Sequence, residues 1–364
     1  MRQALHEKIR SAGLPVVAVI AYSPAPYRVE LFDEITRRGR VRLQALYLHR
    51  NEPGRQWKEI ALQHEAVFLQ EERVPEVSAD LMVISYYADP AAGAIWRARR
   101  GSGQAWVFWG ERPGAHHRGW LGWIARRGRL RYLWKSSATV WAIGSRAAAA
   151  YREEFGERRR VENLPYFSDL QRFARAAQTR KTVPGRRRLL FCGSLIARKG
   201  VDLLLKAFLQ VSARHSGLTL TLAGAGELAA TVTQTDSVLL RGFTPWEELP
   251  ALYAQHDILV VPSRYDGWGM VVPEGLASGM PVLATDQMGA AHDLIRHENN
   301  GWIASAGSLE GLVQCLELAA MVDDAGLVNM SAAAGASVAS HQLSNGAEAF
   351  ERLSLQGLNL AESA

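Results

Sequence analysis

Short apolar runs alternate with helical stretches along most of the chain, and this alternation limits the fold more than any other feature. Val16 to Tyr22 reads as a buried strand, followed by the loop Ser23-Pro24-Ala25-Pro26-Tyr27-Arg28 and a helix from about Val29 to Arg38. Val41 to His49, Leu81 to Tyr86, Ala105 to Trp109 and Thr139 to Ile143 read as further strands, and Arg146 to Phe155 as a helix. Strands joined through crossover helices pair in parallel, with both faces of the sheet covered. Asn163-Leu164-Pro165-Tyr166-Phe167 breaks the pattern, and the polar, basic stretch Gln178 to Arg188 contains Pro184-Gly185, a turn signal. The pattern then restarts with strands at Leu189 to Cys192, Leu218 to Ala223, Ile258 to Val261 and Pro281 to Ala284. Helices at Val201 to Ala213, Pro245 to Gln255 and Val271 to Ser278 lie between them. The expected class is α/β, with two Rossmann-like doubly wound domains facing each other across a cleft. The expected bounds are 1–165 for the N-terminal domain, 166–188 for a linker and 189–340 for the C-terminal domain. A helical segment, 341–364, has a return to the first domain open to it. At 364 residues and 48% hydrophobic composition the chain can bury two cores.

Ligands of such sheets bind beyond the carboxyl ends of the strands. There, Pro262-Ser263-Arg264-Tyr265-Asp266-Gly267-Trp268-Gly269-Met270-Val271-Val272-Pro273-Glu274 sets two carboxylates, Asp266 and Glu274, around a glycine-flanked turn that opens a helix. A turn of this kind offers unpaired N–H groups and the positive end of a helix dipole, which suits a phosphate or pyrophosphate. Asp266 before the turn and Glu274 about one helical turn in can accept hydrogen bonds from hydroxyls on either side of it. The combination fits a sugar nucleotide.

This segment resembles the Glu-x7-Glu motif of retaining glycosyltransferases of family 4, the glycosyl transferases group 1, with Asp266 in place of the first Glu. Phe191-Cys192-Gly193-Ser194-Leu195-Ile196-Ala197-Arg198-Lys199-Gly200-Val201 is similar to the family's donor-phosphate loop. Leu222-Ala223-Gly224-Ala225-Gly226-Glu227 is similar to its second glycine loop, and Gly289 and Asn300-Gly301 fall where later family glycines do. The resemblance implies the GT-B architecture and a nucleotide-diphosphate sugar as co-substrate, with no cofactor and no metal. It implies that Lys199 neutralises the departing diphosphate, that Glu274 holds the ribose and that Asp266 meets the hydroxyls of the transferred sugar. Gly193, Ser194, Arg198, Gly224, Gly226 and Phe243 then line the donor, together with the turn Gly267, Trp268, Gly269, Met270 and Val271. Two departures stand out. Ser194 occupies a position where the family commonly has arginine, which shifts phosphate stabilisation onto Lys199 and Arg198. Asp266 is one methylene shorter than the usual Glu, which leaves the sugar open.

The N-terminal half says less. Where family members often carry a histidine, the loop reads Trp109-Gly110-Glu111-Arg112-Pro113, so Glu111 is the candidate polar contact there, with His116 and His117 behind it. Tyr27 and Arg28, after the first strand, are candidates for touching the acceptor or a phosphate. The net charge of +6 is concentrated in part between Arg118 and Lys135, where basic residues interleave with Trp120, Trp123, Tyr132 and Trp134. That composition fits an anionic membrane surface, or else an amphipathic helix docked on its own domain. No nucleic-acid-binding motif accompanies the charge. Cys192 and Cys315, far apart in sequence, point to neither a disulfide framework nor a metal knuckle and favour a reducing compartment. Residues 1–14 lack an apolar core of signal-peptide length, so the expected location is the cytoplasm, with peripheral attachment to the inner membrane face open. The expected activity is glycosyl transfer to a glycan or lipid-linked acceptor in bacterial surface polysaccharide or lipopolysaccharide synthesis. A sugar-nucleotide epimerase and a catalytically silent sugar-nucleotide-binding subunit are the alternatives.

Overall fold

The apolar runs of the first half become β1 (Val16–Ala21), β2 (Arg42–Tyr47), β4 (Leu81–Ile84), β5 (Trp106–Gly110) and β6 (Val140–Ala142). The shorter β3 (Glu65–Phe68) and β7 (Val161–Asn163) sit at the two edges. The computed structural model describes residues 13–51, 60–69, 78–113, 124, 127, 128 and 130–362. All seven strands pair in parallel, in the order β3-β2-β1-β4-β5-β6-β7. A second parallel sheet has the order β10-β9-β8-β11-β12-β13, from β8 (Arg187–Cys192), β9 (Leu218–Ala223), β10 (Val238–Gly242), β11 (Ile258–Val261), β12 (Val282–Thr285) and β13 (Gly301–Ala304). The central strands β4, β11 and β12 are buried at every residue. A strand covered on both faces has no use for polar alternation, hence their near-continuous apolar sequences, LMVI, ILVV and VLAT.

The helices of the first unit are α1 (Pro26–Arg38), α2 (Pro90–Gly101), α3 (Arg131–Trp134) and α4 (Ser145–Phe155). Those of the second are α5 (Gln171–Ala177), α6 (Val201–Ser212), α7 (Leu249–Tyr253), α8 (Val271–Ala277), α9 (Gly289–Leu294), α10 (Leu309–Met321) and α11 (Asp324–Ser337), and α12 (Leu343–Glu362) ends the chain. The two units are Met1–Ser168 with Leu343–Ala364, and Asp169–Gln342. The last helix therefore belongs to the first unit, where Arg38 Nε donates to Glu351 Oε1 at 2.9 Å and Glu351 is 1% exposed. The stretch expected as a linker, 166–188, holds α5 and the start of β8, and from Asp169 it is part of the second unit.

Helix α1 begins earlier than the sequence pattern predicts. Pro26 occupies its first turn, where a missing N–H costs nothing and the ring fixes φ for helix. Tyr27 and Arg28 are thus in the first helical turn, not in a loop. The expected helix over Pro245 to Gln255 is instead a 3-10 turn, Trp246–Glu248, followed by the short α7.

Candidate functional site

Each sheet has one place where consecutive connections leave in opposite directions. In the second sheet it lies between β8 and β11, because β9 and β10 extend one way and β12 and β13 the other. Such a switch point opens a crevice beyond the strand ends. The loop after β8 carries Arg198 and Lys199 in a 3-10 turn, Ala197–Lys199, and the loop after β11 carries Arg264 and Asp266. The two loops are tied together. Arg264 N–H donates to Arg198 O at 2.9 Å, and Arg198 Nη1 donates to Tyr265 O at 3.1 Å. The Arg264 guanidinium grips both oxygens of Asp202, at the start of α6, each at 2.7 Å. This pairing holds the Asp202 carboxyl below its ordinary value. Across the join, Lys199 Nζ forms an ion pair with Asp266 Oδ2, and both side chains are largely enclosed. The sequence-predicted cation and first carboxylate therefore meet directly.

The turn after Asp266 leads into α8. Gly269 has φ +87°, a left-handed conformation that favours glycine, and a Cβ there would meet the Met288 methyl at 2.5 Å. Glu274, in the first turn of α8, is only 6% exposed. Its Oε2 accepts a hydrogen bond from the Tyr253 hydroxyl at 3.3 Å. The Cys192 thiol shares this enclosure; burial first, and then the Glu274 charge, push it up to about 12. Burial likewise pushes the Tyr253 phenol well above its ordinary value. Tyr253 was not legible as a site residue, because a tyrosine in a short amphipathic helix reads as packing. Helix α8 is seven residues long and Val272 N–H already donates to Gly269 O, so its dipole adds less than the nearby cations. Its other end is held by Arg180, which donates to the carbonyls of Ser278 at 2.6 Å and Gly279 at 3.0 Å.

The remaining donor-side candidates divide by what they can present. Met270 and Val271 are partly exposed, as are Gly193 and Ser194, and Phe243 is 36% exposed. Trp268 is a correction, since its ring is 1% exposed and lies stacked on His341 at 5.7 Å, so it anchors the turn from beneath and offers only backbone above. Gly224 and Gly226 serve loop packing directly. A Cβ on Gly224 would run into Gly193 O, and one on Gly226 into Leu195 O.

In the first unit, the corresponding switch point lies between β1 and β4. Arg28 is 92% buried beside it, donating from Nη1 to Ser23 O at 3.0 Å. Burial is the largest influence on its guanidinium and disfavours the charge, whereas Tyr27, Tyr166 and Tyr47 act the other way, for a net rise. Tyr27 packs on Tyr166 with ring centres 4.8 Å apart. Glu111 is exposed, and its carbonyl accepts from the Tyr151 hydroxyl at 2.7 Å. His116 and His117 lie outside the described residues, as do residues 118–123, 125, 126 and 129 of the basic stretch. Among the described part, Trp134 packs on Phe155 at 4.8 Å and Tyr132 on Trp96 at 5.1 Å, so these rings face the core of their own unit. Their arginine neighbours Arg127 and Arg131 are exposed, along with Arg97 and Arg100 of α2. Among the described residues no helix is long and apolar enough to cross a membrane.

Residues 186–320 match the model of the family described as glycosyl transferases group 1, and this segment contains the motifs on which the resemblance was read from the sequence. The chain is 28% identical over 215 residues to the GDP-mannose-dependent alpha-(1-6)-phosphatidylinositol monomannoside mannosyltransferase of Mycobacterium tuberculosis. That match covers 54% of this chain and 56% of the relative, so the chain spans about half the length of the curated relatives it matches. Among solved structures, sucrose-phosphate synthase from Thermosynechococcus elongatus aligns with TM-score 0.73 at 17% identity, covering 94% of this chain and 98% of that one. The Anabaena protein Alr3699/HepE, solved in complex with UDP-glucose, aligns with TM-score 0.70 at 16% identity over 94% and 99% of the two chains. The fold is thus the GT-B type, built of two parallel-sheet Rossmann-like domains.

Proposed function

We propose that this chain transfers a hexosyl group from a nucleotide-diphosphate sugar to a glycan or lipid-linked acceptor in bacterial surface polysaccharide or lipopolysaccharide synthesis, with retention and without a metal ion. The observation that carries the reading is the convergence of Lys199, Asp266 and Glu274 at the switch point of the second sheet, inside the segment that matches the glycosyltransferase family. The relative named for GDP-mannose and the neighbour solved with UDP-glucose support a nucleotide-diphosphate hexose as donor.

In this reading, Lys199 bridges Asp266 and the β-phosphate, since an ammonium has three donors. As the bond from the anomeric carbon to the phosphate oxygen breaks, the negative charge growing on that oxygen is met by Lys199, with Arg198 at the rim. The acceptor hydroxyl forms its new bond to the anomeric carbon on the same face, and its proton passes to the leaving phosphate oxygen. Glu274, enclosed and oriented by Tyr253, accepts from the ribose hydroxyls, and Asp266 Oδ1 from the transferred sugar. The protein works on the cytoplasmic side, with the Arg118 to Lys135 region on an anionic membrane surface.

The test is donor turnover by the purified chain, screened over UDP- and GDP-hexoses with and without EDTA. Lys199→Ala and Glu274→Ala are each expected to lower turnover by roughly ten- to a thousandfold, because each removes a charge-assisted contact. Activity is expected to persist in EDTA. Full activity in Glu274→Ala at unchanged stability removes the assignment, and loss in EDTA restored by magnesium removes the metal-free mechanism.

A further inference from the structure

Arg28 is a buried cation without a counter-ion. Among the described residues no carboxylate pairs with it: its hydrogen bonds go to Ser23 O and the Tyr166 hydroxyl, and its Nε has no partner. The other side chains acting on it are the phenols of Tyr27 and Tyr47. Two acids bear on those phenols rather than on the guanidinium. Glu111 bears on Tyr166, and Asp33 bears on Tyr47 while accepting from His64 Nδ1 at 2.5 Å and from the N–H groups of Gln63 and His64 at 2.9 Å. The Ser23 hydroxyl, 2% exposed, is also without a partner, as is the enclosed Ser85 hydroxyl at the end of β4. Arginine stays protonated at any ordinary pH, so a buried, unpaired guanidinium is a standing cost to the fold. Here it stands in the first turn of α1, bonded to the loop that follows β1 at the switch point of the first sheet, where ligands of doubly wound domains bind.

We propose that Arg28, with the hydroxyls of Ser23, Ser85 and Tyr166, forms an oxyanion site in the first unit that takes a phosphate or carboxylate group of the acceptor. The guanidinium fork supplies two parallel N–H donors to such a group and the hydroxyls supply neutral ones. The inference rests on the glycosyltransferase reading for the word acceptor, but not for the site itself.

The experiment is thermal unfolding of wild type, Arg28→Met, Arg28→Lys and Lys199→Ala, each with and without inorganic phosphate and acetate. Glycerol 3-phosphate and dihexanoyl phosphatidic acid are added to separate a soluble phosphate from a lipid one. Wild type and Lys199→Ala are expected to gain about 2–4 °C at anion concentrations well above half-saturation, and Arg28→Met to gain nothing. Without anion, Arg28→Met is expected to unfold at the same or a higher temperature than wild type, since an apolar side chain of similar length relieves the unpaired charge. Arg28→Lys, which keeps the charge but loses the fork, is expected to respond at least threefold more weakly. An anion response that survives in Arg28→Met but vanishes in Lys199→Ala assigns the anion to the donor loops and overturns the proposal. So does the absence of any response in wild type, or a Tm loss of several degrees in Arg28→Met without anion, which marks a purely structural latch. Donor turnover measured in parallel reports on the glycosyltransferase reading separately.

Discussion

The Tyr253 hydroxyl donates to Glu274 Oε2 inside an enclosure shared with Cys192, so the orientation of the carboxylate proposed to hold the ribose is set from outside its own helix. Removing that donor leaves Glu274 charged and enclosed with one fewer hydrogen bond, and a bond of 3.3 Å to a charged group is worth about 1 kcal/mol at this length. Because the ribose is bound alike in the ground and transition states, the loss falls on binding. Tyr253→Phe is expected to raise the donor KM roughly fivefold with kcat nearly unchanged. Steady-state kinetics over a donor series checks this, and a fall in kcat at constant KM contradicts the positioning role. Tyr253 shows where residue-level reading stops. Lys199, Asp266 and Glu274 carry charges in glycine-rich surroundings and were legible. A phenol that matters only through the carboxylate beneath which it packs has no signature in the chain.

At the level of elements, the strands most easily read were those buried on both faces, since an apolar run bounded by turn residues has few other uses. The edge strands β3, with all four residues only partly buried, and β10, with exposed Leu239 and Arg241, were missed. They lie half in water, and their sequences, EAVF and VLLRG, are too short to show a period. The start of α1 was missed because its first turn is polar and aromatic, and Pro26 reads as a loop residue unless its place at the helix start is recognised. The glycine loops were legible as a donor cradle, but the structure adds that they pack backbone on backbone. Gly224→Ala would press a Cβ into Gly193 O, where no flexible side chain can yield, at φ +154°. It is expected to cost about 2–4 kcal/mol of stability and to weaken donor binding with it. Gly335→Ala, in α11 with no atom within 4 Å of the new Cβ, is expected to stabilise by about 0.5–1 kcal/mol. Chemical denaturation of the two variants side by side is the measurement. Equal, small effects would mean that the two glycine loops have room to part.

For the whole molecule, the sequence offered two uses for the basic, tryptophan-rich stretch, and the structure splits its residues between them. Trp134 and Tyr132 pack toward their own core, and Arg127 lies over the Trp134 ring at 4.6 Å. These two rings are therefore scaffold. Among the described residues, those that remain outside are Ile124 and the arginines Arg127 and Arg131, with Arg100 of α2 over the Tyr132 ring at 5.4 Å and Arg97 alongside. The contribution of α2 could not be read from sequence, because it is brought to the patch only by folding. A patch of this composition binds an anionic leaflet through electrostatics more than through inserted rings, at about 1 kcal/mol for each basic residue near the surface. Reversing Arg100, Arg127 and Arg131 to Glu is expected to weaken binding to anionic vesicles by several kcal/mol, whereas wild-type binding is expected to fall steeply as salt rises through the physiological range. The proposed donor loops belong to the other unit and share no described partner with these arginines, so the donor KM is expected to stay within about twofold of wild type. Co-sedimentation with phosphatidylglycerol vesicles at low and physiological salt decides the matter. Binding that is equal in both proteins, or that ignores salt, would return these arginines to the role of a solvated face over a docked helix.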